Sequence, residues 1–334
     1  MITATHSDIP VDLERRVDPD PLIARSTAVL GLGLLALGLV RALFAPTFAV
    51  EIRSWSTLFM AVVLQALPFL ALGVVVSGLV AVFLSPTVLK RIVPKNVYLG
   101  VPAAAFVGVA LPGCECASVP VSARLMAQGV PGPAALAFLV ASPAINPVVL
   151  IATAVAFPGQ PKMVFARFVA SVIAATVIGW VWAKWGTAPR VALPDERMLH
   201  ERRILRFAST AHHDLLHAGS FLVIGAAATS TLQTLVPRSV IDQVAGLGAL
   251  SVVALALLAF VLAVCSEADA FVVAGLSRFS LTARLAFLVV GPMVDIKLVA
   301  LHAGTFGRKF ATRFGPLVFV VAIASAAVVS AVMW

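Results

Sequence analysis

Apolar positions along this chain come in long unbroken runs, without the one-face or alternating patterns of half-buried soluble elements. The runs fall at about 26–44, 57–84, 97–112, 133–157, 162–185, 216–236, 246–264, 283–303 and 314–333. Most approach the length of roughly twenty residues that carries a helix across ~30 Å of hydrocarbon. Two segments, 113–130 and 265–280, differ: each opens on polar residues and continues as a short apolar piece, 119–128 and 270–279. Ten helical residues rise only about 15 Å, and six extended residues ahead of them add about 20 Å. Each segment is therefore expected to cross as an unwound stretch followed by a half-helix, with its open backbone satisfied by protein or by a water-filled cavity. The pattern predicts an all-α polytopic membrane protein with nine to eleven transmembrane segments.

Composition agrees. The chain is 61% hydrophobic and 12% charged, against roughly 25% charged residues in soluble domains. The net charge of +9 is no nucleic-acid signal, because the Lys and Arg residues lie in loops between apolar runs and form no stripe interleaved with aromatics. If both short segments cross and the N-terminus is inside, inside loops hold fourteen Lys and Arg residues and outside loops hold three; re-entrant segments would give eleven against eight. The first arrangement follows the positive-inside rule better, giving eleven crossings and a cytoplasmic N-terminus in the bacterial inner membrane. Residues 1–25 are polar and mixed in charge, unlike a cleavable signal peptide. Three cysteines inside interrupted apolar stretches exclude a secreted disulfide framework.

The chain also repeats itself. PFLALG at 68–73 resembles SFLVIG at 220–225, CECAS at 114–118 aligns with CSEAD at 265–269, and AFLVASPAIN at 137–146 aligns with AFLVVGPMVD at 286–295. The offset stays between 149 and 152 residues. Five crossings per half is an odd number, so the second half enters from the opposite side, the inverted-repeat plan of many secondary transporters. The expected divisions are a cytoplasmic tail 1–25, an extra transmembrane helix 26–44, a first repeat 57–185, a basic cytoplasmic linker 186–215 and a second repeat 216–334, each repeat holding a broken helix.

Candidate chemistry gathers in the repeated motifs. Glu115, Glu267, Asp269 and Asp295 fall within the membrane portion, where a charge costs several kcal/mol and faces a cavity or a partner. They accompany all three cysteines, Cys114, Cys116 and Cys265. Thiolates suit zinc, copper(I) and metalloids, while carboxylates favour cations. The functional reading is a substrate site of Cys114, Glu115, Cys116, Ser118, Asn146, Cys265, Glu267, Asp269 and Asp295, with Cys114, Glu115, Cys116, Glu267 and Asp269 as metal ligands. Plainer readings stand beside it. Buried Cys is often a small hydrophobe. Ser266 and Asp269 have capping-box spacing and could simply start a half-helix. The two prolines of the 142–147 stretch must kink or unwind the helix; Asn146 could meet substrate or bridge the freed backbone. Lys297 could neutralise Asp295. His302, near a helix end, reads as interfacial, Arg124, Arg278 and Arg284 as snorkelling to the interface, and His212, His213 and His217 as a solvated face. No nucleotide loop or nucleophile–base pair is evident, so no enzyme activity, cofactor or nucleic-acid partner is expected, and ATP-driven transport would require another subunit.

At 111–120 (LPGCECASVP) and 137–147 (AFLVASPAINP) the chain resembles the bacterial predicted-permease family that includes the arsenical permease ArsP, and the likeness runs through both repeats. The resemblance implies transport, often extrusion of trivalent arsenicals, with Cys114 and Cys116 as thiol ligands on the substrate path. The family pattern has a small polar residue between the two cysteines, where this chain has Glu115. Four carboxylates suit a cation better than a neutral arsenous species. The chain also resembles the actinobacterial branch of the family, which implies metal homeostasis beside a small partner membrane protein. The expected substrate is a divalent transition metal such as zinc, with arsenical efflux, or a non-transporting scaffold subunit, as alternatives.

Overall fold

The computed structural model describes residues 48–83, 96–110, 115–187 and 250–334, with a discontinuous set of helical residues between Phe207 and Thr234. The tail 1–25, the span 26–44, most of the linker, Cys114, His213 and His217 lie outside the described residues. Every described element is helical. A long α1 (Phe48–Phe83) is followed by α2 (Val97–Val107), α3 (Glu115–Ala127), α4 (Gly132–Ile145), α5 (Pro147–Ala156) and α6 (Pro161–Trp185). After the linker come α7 (Leu250–Leu262), α8 (Asp269–Ala274), α9 (Leu281–Met293), α10 (Ile296–Phe306) and α11 (Arg308–Met333).

Four stretches among the described residues are long and apolar enough to cross a membrane: Gly132–Ala156, Pro161–Trp185, Leu281–Phe306 and Arg308–Met333. Two of them are interrupted, and at matching places. Asn146 is extended (φ −66°, ψ 155°) between α4 and α5, and Val294 and Asp295 are extended between α9 and α10. Pro147 lacks the N–H that would continue α4, yet its fixed φ suits the first position of a new helix. Asn146 then serves as that helix's cap, its Oδ1 accepting from Val149 N at 2.9 Å, while its Nδ2 donates to Ser142 O at 3.4 Å. Asn146 thus makes the backbone bridge that was one of its two sequence readings. Asp295 does the same for α10, accepting from Leu298 N at 2.6 Å.

The helices α2 to α6 recur in order as α7 to α11. Their packing recurs as well. The α3 helix lies on α10 and α8 lies on α5, while α4 meets α9 and α6 meets α11. Trp182, near the end of α6, packs edge-on against Phe310 and Phe314 at the start of α11, with ring centroids 5.0 and 5.2 Å apart. The equivalent helices α6 and α11 therefore run antiparallel, which is the relation an inverted repeat requires. Small residues permit the tight contacts: a Cβ on Gly108, in the 3₁₀ turn after α2, would stand 2.9 Å from Ser142 N.

Two half-helices differ from their expected form. In the first set the helix begins at Glu115 and not near 119, and Ser118 Oγ bonds back to Glu115 O at 2.9 Å within its first turn. In the second set α8 is only six residues long and stops at Gly275. Its approach is irregular: Ala263 takes a positive φ of 46° after α7, and Cys265 O accepts from Ala268 N and Asp269 N. No capping box forms, since α8 starts at Asp269 with Ala268 at the N-cap and no side-chain cap.

Candidate functional site

The ends of α3, α5, α8 and α10 bring a polar cluster together inside an otherwise apolar core. Lys297, one residue into α10, donates to Glu115 Oε1 at 3.1 Å and stands 3.5 Å from Asp295 Oδ2. Glu115 Oε2 accepts from Ser266 Oγ at 3.4 Å. Arg167, from the middle of the first half of α6, grips Asp269 with both terminal nitrogens, at 3.0 Å to Oδ1 and 2.8 Å to Oδ2. The same guanidinium donates to Thr153 Oγ1 at 2.7 Å on α5 and to Ser266 O at 3.3 Å. All these side chains are nearly withdrawn from solvent, Arg167 wholly so.

Low-dielectric surroundings make each pair matter. A buried ion pair gains little over an apolar pair of the same shape, but losing one partner strands a charge and is strongly destabilising. Arg167 is well suited, because its planar fork matches a carboxylate with two parallel bonds. Lys297 is a point charge on a flexible stem and is shared between two carboxylates. Glu267 stands apart: both carboxylate oxygens are buried and no donor among the described residues reaches either. It lies within electrostatic reach of Glu115, Arg167 and Lys297.

Asp269, expected on the substrate as a metal ligand, is bound on both oxygens by Arg167, and Glu115 is bound by Lys297. Among the described residues no three His, Cys, Asp or Glu side chains converge as a metal-ligand group. Glu115 and Asp269, two of the expected ligands, are each paired with a resident cation. Cys265 is buried at the turn leading to α8. Cys114 lies outside the described residues; Cys116 sits on α3, its side chain outside the description. Ser118 Oγ bonds within its own helix to Glu115 O, and the side chains of Asn146 and Asp295 cap α5 and α10.

Sequence reasoning missed Arg167 and the partner of Lys297. The signal for Arg167 was present: an arginine in the apolar run 162–185, too far from its end to be ignored. Lys297 was read against Asp295 alone, since Glu115 lies 182 residues away. His302, expected at the interface, is enclosed by protein. It is 1% exposed, amid Phe306, Phe310 and Phe314. Arg284 bonds Phe279 O at 3.1 Å through Nε, so it closes a local turn. His212 is exposed. A cleft of about 510 Å³ on the outer face of α5 and α6, lined by Leu150, Phe157, Gln160, Phe165 and their neighbours, includes none of the candidate residues and is almost wholly apolar.

A profile described as "Predicted permease" matches residues 51–331. The UPF0718 protein YcgR of Bacillus subtilis (strain 168) is 33% identical over 282 residues, covering 82% of this chain and 96% of that protein. A Streptococcus mutans (serotype c, strain ATCC 700610 / UA159) protein is 31% identical over 274 residues, covering 77% of this chain and 88% of its own length. It carries the provisional name of a two-component membrane permease complex subunit. No solved structure matches. Helices that recur in two antiparallel sets, a buried charge cluster where the sets meet and a profile match across nearly the whole chain agree: this polytopic membrane protein belongs to the predicted-permease family.

Proposed function

We propose that the protein is a secondary permease of the bacterial cytoplasmic membrane whose substrate passes between the two sets of helices, beside Cys114, Cys116 and Glu267. The observation that carries this reading is the pair of ion bridges joining the sets, Glu115 to Lys297 and Arg167 to Asp269. Alternating access moves one repeat against the other around a fixed midplane site. Bridges between the sets are the contacts such a motion opens and remakes. A scaffold subunit has no use for four buried carboxylates, each expensive in a membrane.

The substrate class we favour is a soft divalent transition-metal cation such as zinc. Cysteine thiolates are soft ligands, and Glu267 offers a buried carboxylate that no described donor occupies. The four carboxylates outnumber Arg167 and Lys297 two to one, so the cluster keeps a negative excess. One observation favours the second reading, efflux of trivalent arsenicals: two carboxylates are already balanced internally, which leaves less charge for a cation than the sequence suggests. The name of the Streptococcus mutans relative supports a second membrane subunit as partner.

Flux of zinc and of a trivalent arsenical into proteoliposomes, for the wild type, Glu267→Gln and Cys116→Ser, tests the reading. Zinc movement abolished in both variants is the expected result. Arsenical movement that needs Cys116 but survives Glu267→Gln, with no zinc movement, would transfer the protein to the second reading. Movement of neither, in the presence of the partner subunit, would leave the scaffold.

A further inference from the structure

We propose that Lys297 is a tethered stand-in for the transported cation: its ammonium holds Glu115 between transport events and swings to Asp295 when a divalent cation takes Glu115. The inference rests on the cation reading of the substrate site and assigns a residue to the exchange. Lys297 Nζ lies 3.1 Å from Glu115 Oε1 and 3.5 Å from Asp295 Oδ2. Asp295 Oδ1 is committed to the α10 cap, whereas Oδ2 accepts no hydrogen bond of good geometry among the described residues and has the ammonium 3.5 Å away. The swing is confined to the end of the side chain. The stem is closely packed: the helix bearing Gly225 lies so near that a Cβ there would meet Lys297 Cγ at 3.0 Å and Cα at 3.1 Å.

Before the exchange Glu115, Asp295 and Glu267 carry three negative charges against the one positive charge of Lys297; a divalent cation brings the total to zero, and Lys297 then pairs with Asp295. Removing one partner of a buried pair strands a charge, so Lys297 leaves Glu115 only as the cation arrives. The event also has a mechanical consequence. Glu115 belongs to α3 in the first set, and Lys297 and Asp295 to the α9–α10 break in the second, so the exchange removes a bridge between the sets. Arg167 cannot act in this way. Its guanidinium is held by Asp269, Thr153 and Ser266 at once. The first set has no counterpart of the switch either: at the repeat offset of 149 residues, Asn146 and Val148 stand for Asp295 and Lys297.

The test is zinc binding by the purified full-length protein, using the zinc ion alone as probe, followed by zinc flux in proteoliposomes. A competitor built into the site weakens binding and speeds release. Lys297→Gln is expected to bind zinc about tenfold tighter or more, in the range of ordinary coupling between ligands, and to turn over more slowly, so that KM and maximal rate fall together. Lys297→Arg keeps the competitor and is expected to bind no tighter than the wild type. Should Lys297→Gln fail to fold, Lys297→Gln with Asp295→Asn removes one charge of each sign and is expected to show the same tightening. Wild-type zinc binding that neither variant strengthens would overturn the exchange and leave the zinc reading standing. Zinc binding seen only without Lys297 supports the exchange. No zinc binding by any of the proteins would overturn both.

Discussion

Glu115 and Ser266 occupy equivalent places in the two sets of helices, 151 residues apart, and they touch, Ser266 Oγ donating to Glu115 Oε2 at 3.4 Å. Two positions exchanged by a two-fold relation can meet only beside its axis. The contact therefore places the axis through the charge cluster, with α3 on α10 and α8 on α5 disposed around it. The chemistry at the axis is nonetheless unequal, a carboxylate on one side and a hydroxyl on the other. The bridge to Lys297 exists on one side only.

Arg167→Met should strand Asp269 as a buried, unpaired carboxylate. The expected loss is about 3–5 kcal/mol, read as a lower melting temperature in detergent. Arg167→Met combined with Asp269→Leu should recover most of it, because the pair as a whole gains little over an apolar pair. A double variant as unstable as the single one would mean that Thr153 and Ser266 depend on the guanidinium more than Asp269 does.

The two caps separate structure from charge. Asn146→Ala should cost about 1 kcal/mol through the lost bond to Val149 N. Asp295→Asn keeps an oxygen for Leu298 N and should melt closer to the wild type than Asp295→Ala does. Flux should nevertheless fall in Asp295→Asn, since Lys297 loses its second carboxylate.

Gly225→Ala tests the close approach over Lys297. The added methyl would stand 3.0 Å from Lys297 Cγ, and overpacking of this kind typically costs about 1–3 kcal/mol. Melting and flux should both fall. Unchanged behaviour would show that the Lys297 stem can move aside.

Glu267→Gln removes a charge that no described donor serves, so its melting temperature should match or exceed that of the wild type while flux is lost. His302→Leu puts an apolar residue of similar size where neither ring nitrogen has a described partner. Removing an unsatisfied buried group should hold or raise stability by about 1 kcal/mol, with flux retained. Lost flux in His302→Leu would give the imidazole a part in transport.

Much of this was legible in the sequence. Apolar runs of membrane-crossing length pointed to helices: the run 162–185 became Pro161–Trp185, while the run 57–84 became a helix that starts nine residues earlier, at Phe48. The prolines of 142–147 foretold the break at Asn146, because a missing N–H acts locally. The three matched motifs foretold the recurrence of α2 to α6 as α7 to α11. Local reasoning failed where a side chain had a choice of partner. The Ser266 and Asp269 spacing suited a capping box, yet Ser266 went to Glu115 and Asp269 to Arg167. A turn begins instead at Cys265 O.

Sequence by itself determined that the chain is a polytopic helical membrane protein, that it is built twice over, and that the carboxylates of its membrane portion gather in the repeated motifs. These follow from transfer free energy, backbone chemistry and chain symmetry, which act residue by residue. Only the tertiary structure decided which charges meet. Glu115 finds Lys297 across 182 residues and Asp269 finds Arg167 across 102. In a medium without water every buried charge must be answered by a neighbour, and neighbours of that kind are chosen by packing.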